Sequence, residues 1–174
     1  MPSYHVLFDS SFILLTAGIF PLLTNILLMS AEYPTPSILL VEDDQMDVMN
    51  VQRELRRQNI DVPLLHARNG REALKMLRGE DGEAKIAKPS LVMLDINMPR
   101  MNGLELLEVL RSDPEFMDLN VFIMTTSDLE SDRLKAQQLA VSGYIIKPLS
   151  FDTFGEGGTS VDGFSLFLDL LRLK

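Results

Sequence analysis

Five residues able to do oxygen or amine chemistry stand at the ends of apolar runs. Glu42 and Asp43 follow Ile38-Leu39-Leu40-Val41, Asp95 follows Leu91-Val92-Met93-Leu94, Thr125 closes Val121-Phe122-Ile123-Met124, and Lys147 follows Gly143-Tyr144-Ile145-Ile146. A short apolar run bounded by turn residues reads as a buried parallel strand, and a charge at its carboxyl end lies where open α/β sheets bind ligands. Strands one, three and four of such a sheet are neighbours, which gathers Glu42, Asp43, Asp95 and Thr125 in one crevice; Lys147 adds a mobile ammonium from strand five. Packed carboxylates repel unless a cation or proton joins them. A hard oxygen site with open positions suits Mg²⁺, which keeps several waters and accepts phosphate oxygens. These are the parts for phosphoryl transfer onto a carboxylate: a nucleophile, a bridging metal, and cationic and hydroxyl donors. Singly, each has an ordinary explanation: an acid after a strand caps a helix, a strand-end Thr is structural, and a Lys before Pro is solvated. Their joint occurrence at successive strand ends outweighs those explanations.

The elements that must position these residues follow in order. Asp44 caps a helix running to about Gln58, although Met46, Met49 and Arg53 share one face and Val48, Val51 and Leu55 another, so spacing leaves the core side open. Val62 to His66 is a second strand. Asn69, with Glu72 three residues on, starts a helix that Gly79 stops. Gly79 to Ser90, with Glu80, Asp81, Glu83, Lys85, Lys88 and Pro89, reads as a solvated loop without chemistry. Behind Asp95 the turn contains Asn97, Pro99, Asn102 and Gly103; Pro99 and Gly103 shape it, and Asn102 is an ordinary turn residue. Helices are expected over Leu104 to Arg111 and Leu129 to Ala140, with Ser112-Asp113-Pro114 as a turn. Phe151, Phe154, Phe164, Phe167, Leu168 and Leu171 want a last helix face. Gly155, Gly157, Gly158 and Gly163 each cost roughly 1 kcal/mol in a helix interior, so a frayed or broken helix is expected there. Five strands alternating with helices imply a parallel sheet with right-handed crossovers and helices on both faces.

At 174 residues with 46% hydrophobic content, the chain suits one domain with a sizeable core plus an appendage. Its net charge of -9 disfavours nucleic-acid phosphates, whose binding relies on clustered Lys and Arg. With no cysteine there is no disulfide, thiolate metal site or thiol nucleophile, which fits a reducing compartment.

Residues 1–36 form the appendage, with no Lys or Arg and only Asp9 and Glu32 as acids. Phe12 to Met29 is an apolar run near the length of a membrane span, interrupted by Pro21. It reads either as a membrane helix or as a misassigned start, the biological chain then beginning at Met29; the second reading is slightly preferred. A tether at residues 12–29 would be the one departure from a cytoplasmic location. Residues 37–174 form the main domain.

The motifs Ile38-Leu39-Leu40-Val41-Glu42-Asp43-Asp44, Asp95 to Gly103, Met124-Thr125-Thr126-Ser127 and Ser142-Gly143-Tyr144-Ile145-Ile146-Lys147-Pro148 resemble, in order and spacing, the response-regulator receiver domain of two-component signalling. The resemblance implies a flavodoxin-like doubly wound sheet of strand order 2-1-3-4-5. It implies Asp95 as phosphoacceptor, Glu42 and Asp43 as the acid pair with Asp43 the direct Mg²⁺ ligand, and Asn97 lending its backbone carbonyl to the metal. It also implies Thr125 as the switch hydroxyl, Lys147 as the phosphate partner, a cis Lys147-Pro148 bond and Tyr144 as the aromatic switch. Asn97 and Ser127 stand where family members tune the phosphoryl lifetime.

The Thr125-Thr126-Ser127 wording, the Asp113-Pro114-Glu115 turn and Tyr144 to Leu149 are similar to stand-alone receivers that partner phytochrome-type histidine kinases. The partners implied are a sensor histidine kinase, a downstream protein or phosphotransfer partner, and a second copy through the face of the fourth helix, fifth strand and fifth helix. With one helix after Lys147, output is expected through protein contacts rather than an appended effector. The chain would catalyse its own phosphorylation and dephosphorylation only.

Three other classes compete. An aspartyl-nucleophile phosphatase commonly needs a second acid where Asn97 stands. A flavin-binding domain of this topology needs a phosphate-cradling loop where Glu42-Asp43-Asp44 is acidic. A scaffold indifferent to phosphorylation would show no Mg²⁺-dependent modification. His5 and His66 read as ordinary histidines.

Overall fold

The structure, a computed structural model, describes residues 35–125, 138–150 and 161–171. Five strands form one parallel sheet: β1 (Ile38–Val41), β2 (Leu64–Ala67), β3 (Leu91–Asp95), β4 (Val121–Thr125) and β5 (Gly143–Ile146). Their order is β2-β1-β3-β4-β5, the flavodoxin-like arrangement expected. The described helices are α1 (Gln45–Arg57), α2 (Gly70–Arg78), α3 (Gly103–Ser112) and α4 (Val161–Leu170).

Alternation along the strands sends residues to two cores, as the period of two requires. Leu39, Val41, Val92, Leu94, Val121 and Ile123 pack with α2 and α3 through Ala73, Leu77, Leu106 and Leu110. Ile38, Leu40, Met93, Phe122, Met124 and Ile145 pack with α1 and α4 through Val48, Val51, Leu55, Phe167 and Leu171. Helices therefore cover both faces. The core side of α1, left open by spacing, is the valine-leucine face, while Met46 and Met49 are exposed.

The expected strand Val62 to His66 lies two residues later, at Leu64–Ala67. Proline has no N–H for the ladder, so pairing starts after Pro63, whose carbonyl still accepts from Ile38. Asn69 and Gly79 cap α2 as expected, Gly79 with a left-handed φ of 71°. Asn102 needs correction: it is the N-cap of α3, its side chain accepting from the Glu105 N–H while the Glu105 carboxylate accepts from the Asn102 N–H. A run of turn residues hid a capping box.

The loop of residues 79–90 is tied at the amino end of the sheet. Lys85 pairs with Glu115 at 2.5 Å, Lys88 pairs with Asp118, and Arg78 Nη2 meets Asp113 at 2.9 Å. Helix α4 continues through Gly163, where a break was expected. Phe167 is fully buried with its ring edge-on to Phe122 at 5.5 Å, and that burial offsets the helix cost of one glycine. Gly155, Gly157 and Gly158 lie outside the described residues, as do Ser127, residues 12–29 and most of the expected helix Leu129 to Ala140. Among the described residues, no helix is long and apolar enough to cross a membrane.

Candidate functional site

The crevice at the carboxyl ends of β1, β3, β4 and β5 is built by backbone register. Val41 pairs with Leu94, Asp95 with Met124, and Thr125 with Ile146. The residues after β1 and β5, Glu42 and Lys147, therefore flank Asp95.

Gly103 fixes the turn behind Asp95. Its N–H donates to the Ile96 carbonyl at 2.9 Å, and a Cβ added there would lie 2.1 Å from the Asp95 carbonyl oxygen. No side chain fits, so glycine is required by space.

Lys147 is the hub. Its Nζ lies 2.6 Å from Glu42 Oε2, 2.8 Å from Asp95 Oδ1 and 2.9 Å from Asp47 Oδ2. Sequence reading made this ammonium mobile; the structure buries it, 7% exposed, under three carboxylates. The Lys147-Pro148 bond is cis, as expected. Burial pulls the Lys147 pKa down, but hydrogen bonds to Asp95, Glu42 and Asp47 outweigh it and hold the group above its ordinary range. Glu42 moves upward as well, because burial and the neighbouring Asp95 charge outweigh the help of Lys147.

The remaining oxygens are partly committed. Glu42 Oε1 accepts from the Asp44 N–H at 3.1 Å, and Asp95 Oδ2 accepts from the Asn97 N–H at 2.9 Å. Carboxylate oxygens of Glu42, Asp43 and Asp95 all lie within 4.8 Å of one another, with Asp43 exposed at the mouth. Three hard donors facing an open side fit a divalent cation of the Mg²⁺ class. Thr125, half-buried, accepts the Lys147 N–H on its backbone carbonyl at 2.8 Å, and Tyr144 is buried in the core on the α2 and α3 face.

Two participants escaped the sequence. Asp47 lies in the first turn of α1, three residues beyond the cap, and its side chain reaches back to the strand end. His66 Nε2 lies 2.8 Å from the Glu42 carbonyl oxygen, bracing β1 from β2. Nothing in the sequence distinguishes it from an ordinary strand histidine.

Comparison with known proteins agrees with the geometry. The family described as response regulator receiver domain matches residues 38–156. Response regulator Rcp1 of Synechocystis is 33% identical over 114 residues, 66% of this chain and 78% of that protein. A solved Mn²⁺-bound form of response regulator Rcp1 has a TM-score of 0.61 at 28% identity, covering 79% of this chain and 91% of that one. A two-component response regulator from Legionella pneumophila gives 0.66 at 36% identity, covering 79% and 98%. The phosphorylated cyanobacterial phytochrome response regulator RcpA gives 0.61 at 29%, covering 80% and 91%.

Proposed function

The chain belongs to the response-regulator receiver family, and from that premise we propose that it accepts a phosphoryl group on Asp95 from a sensor histidine kinase and signals through a surface that the modification changes. The observation that carries this reading is Lys147, buried and bridging Asp95 to Glu42.

A carboxylate oxygen of Asp95 attacks phosphorus in line with the leaving group. The new P–O bond forms as the P–N bond of the phosphohistidine breaks, and its electron pair stays on the imidazole nitrogen. Lys147 and the Thr125 hydroxyl hold the phosphoryl oxygens. Glu42, Asp43, Asp95 and the Asn97 carbonyl would hold Mg²⁺, which when bound neutralises phosphate charge and aligns the transferring oxygens. Asn97 and Ser127 set the phosphoryl lifetime. A product with nearly two added negative charges draws Thr125 toward it, and Tyr144 turns into the space released. The altered face, around β5 and its neighbouring helices, meets a downstream protein, a phosphotransfer partner or a second copy. The name of the cyanobacterial phytochrome response regulator RcpA supports a kinase of the phytochrome type. A cytoplasmic setting suits a chain without cysteine.

With Mg²⁺ and acetyl phosphate, the full chain should gain the mass of one phosphoryl group. An unchanged mass, or equal labelling of Asp95→Asn, would refute the reading. Replacing Asn97 and Ser127 together should alter the dephosphorylation rate; an unaltered rate removes their role.

A further inference from the structure

An ammonium has three N–H donors, and Lys147 meets three carboxylates, so a phosphoryl oxygen can be bonded only if one acid lets go. The three are not equivalent. Glu42 is 1% exposed and its second oxygen is held by the Asp44 N–H. Asp95 is buried, with its second oxygen held by the Asn97 N–H. Asp47 hangs from the first turn of α1 with its side chain 27% exposed, on an open cavity of about 520 Å³ that it lines with Met46, Met49, Asn50 and Pro148. Before transfer, while Asp95 is still a carboxylate, water can replace Lys147 around Asp47 alone at small cost, because a buried carboxylate stripped of its partner is penalised far more than a wet one.

We propose that Asp47 is a positioning residue, the exchangeable third partner of Lys147, occupying in the unmodified protein the N–H that turns to a phosphoryl oxygen once Asp95 is phosphorylated. The proposal rests on Asp95 being the phosphoacceptor. In the exchange, one Nζ–H···O hydrogen bond to Asp47 breaks and one to a phosphoryl oxygen forms, water takes up the freed carboxylate, and no proton changes hands. Asp47 thus has two effects in the unmodified state: it keeps the ammonium seated, and it competes with the incoming dianion both for that donor and by charge repulsion. Its release also places a free negative charge beside the exposed methionines of α1, so the state of Asp95 is written on that surface.

The test uses the full chain with Mg²⁺ and acetyl phosphate, followed by intact mass, for the wild type and for Asp47→Asn, Asp47→Ser, Asp47→Glu and Asp95→Asn. Both neutral variants should accept the phosphoryl group roughly three- to tenfold faster, as expected for removing a partly hydrated charge-assisted hydrogen bond. Asp47→Glu, which restores the carboxylate, should return to the wild-type rate. A merely structural role would not give acceleration reversed by the conservative variant. Rates for Asp47→Asn and Asp47→Ser equal to or below the wild type overturn the proposal and leave Asp95 untouched. No added mass on the wild type overturns the reading beneath it instead.

Discussion

The two ends of the sheet carry charge in opposite ways. At the carboxyl end one buried cation serves Glu42, Asp47 and Asp95, and the Glu42 pKa is raised by burial first and by Asp95 next. At the amino end the charges form separate pairs, half-buried for Arg78 with Asp113 and exposed for Lys85 with Glu115 and Lys88 with Asp118. There the Asp113 and Asp118 carboxyls are lowered by hydrogen bonds from Arg78 and Lys88. Exposed pairs are cheap to make and contribute little, whereas buried charges remain only where each is compensated. The contrast teaches that the end holding strained charge is the end with chemistry to do.

Removing the hub should separate the two ends most sharply. Lys147→Met leaves three carboxylates without their cation, and we expect roughly 3 kcal/mol of lost stability at pH 7 from urea unfolding. Part of it should return as pH falls and Glu42, whose carboxyl burial holds above its ordinary range, takes up a proton. Gly103→Ala comes next: a Cβ 2.1 Å from the Asp95 carbonyl oxygen forces the turn to move. About 2 kcal/mol of lost stability is expected, with at least tenfold slower phosphorylation by intact mass.

The pH profile sharpens the comparison through its sign. A raised carboxyl favours the folded state when protonated, so the Glu42 contribution is present below its ordinary 4.5 and is lost as pH rises through the raised value. The lowered Asp113 and Asp118 do the reverse: their contribution is present above their ordinary 3.8 and is lost as pH falls through the lowered values. Glu42→Gln should therefore be more stable than the wild type at pH 7, with the urea midpoints converging as pH falls below 4.5. The smallest effect is expected for Arg78→Ala with Lys88→Ala, a slight drop in the thermal midpoint that vanishes in high salt. A large, salt-resistant drop would break the comparison.

Much of this was legible because strand ends are punctuated. The runs Ile38–Val41, Leu91–Asp95, Val121–Thr125 and Gly143–Ile146 are apolar and closed by polar residues, and β1, β3, β4 and β5 occupy those spans. Asp95, Glu42, Asp43 and Lys147 follow from the same punctuation, since parallel register fixes which ends meet. Asp47 and His66 were not legible: one lies a helical turn past a cap and the other inside an edge strand, and only tertiary contact gives either a partner. Asn102 was misread because a cap and a turn use the same residue types. At Gly163 local propensity lost to packing, the burial of Phe167 and Leu171.

The closeness of Gly103 to the Asp95 carbonyl has a consequence for what may occupy position 95. The address is written in backbone: strand β3 brings the residue in, and a glycine with no room behind it holds the peptide still. The occupant can then be exchanged without moving the address. An Asn should sit in the same place as a silent replica, and a Glu, unable to recoil, must push its longer side chain forward among Lys147 and Thr125. Position 95 is thus a socket for comparing headgroups of different length on a fixed mount.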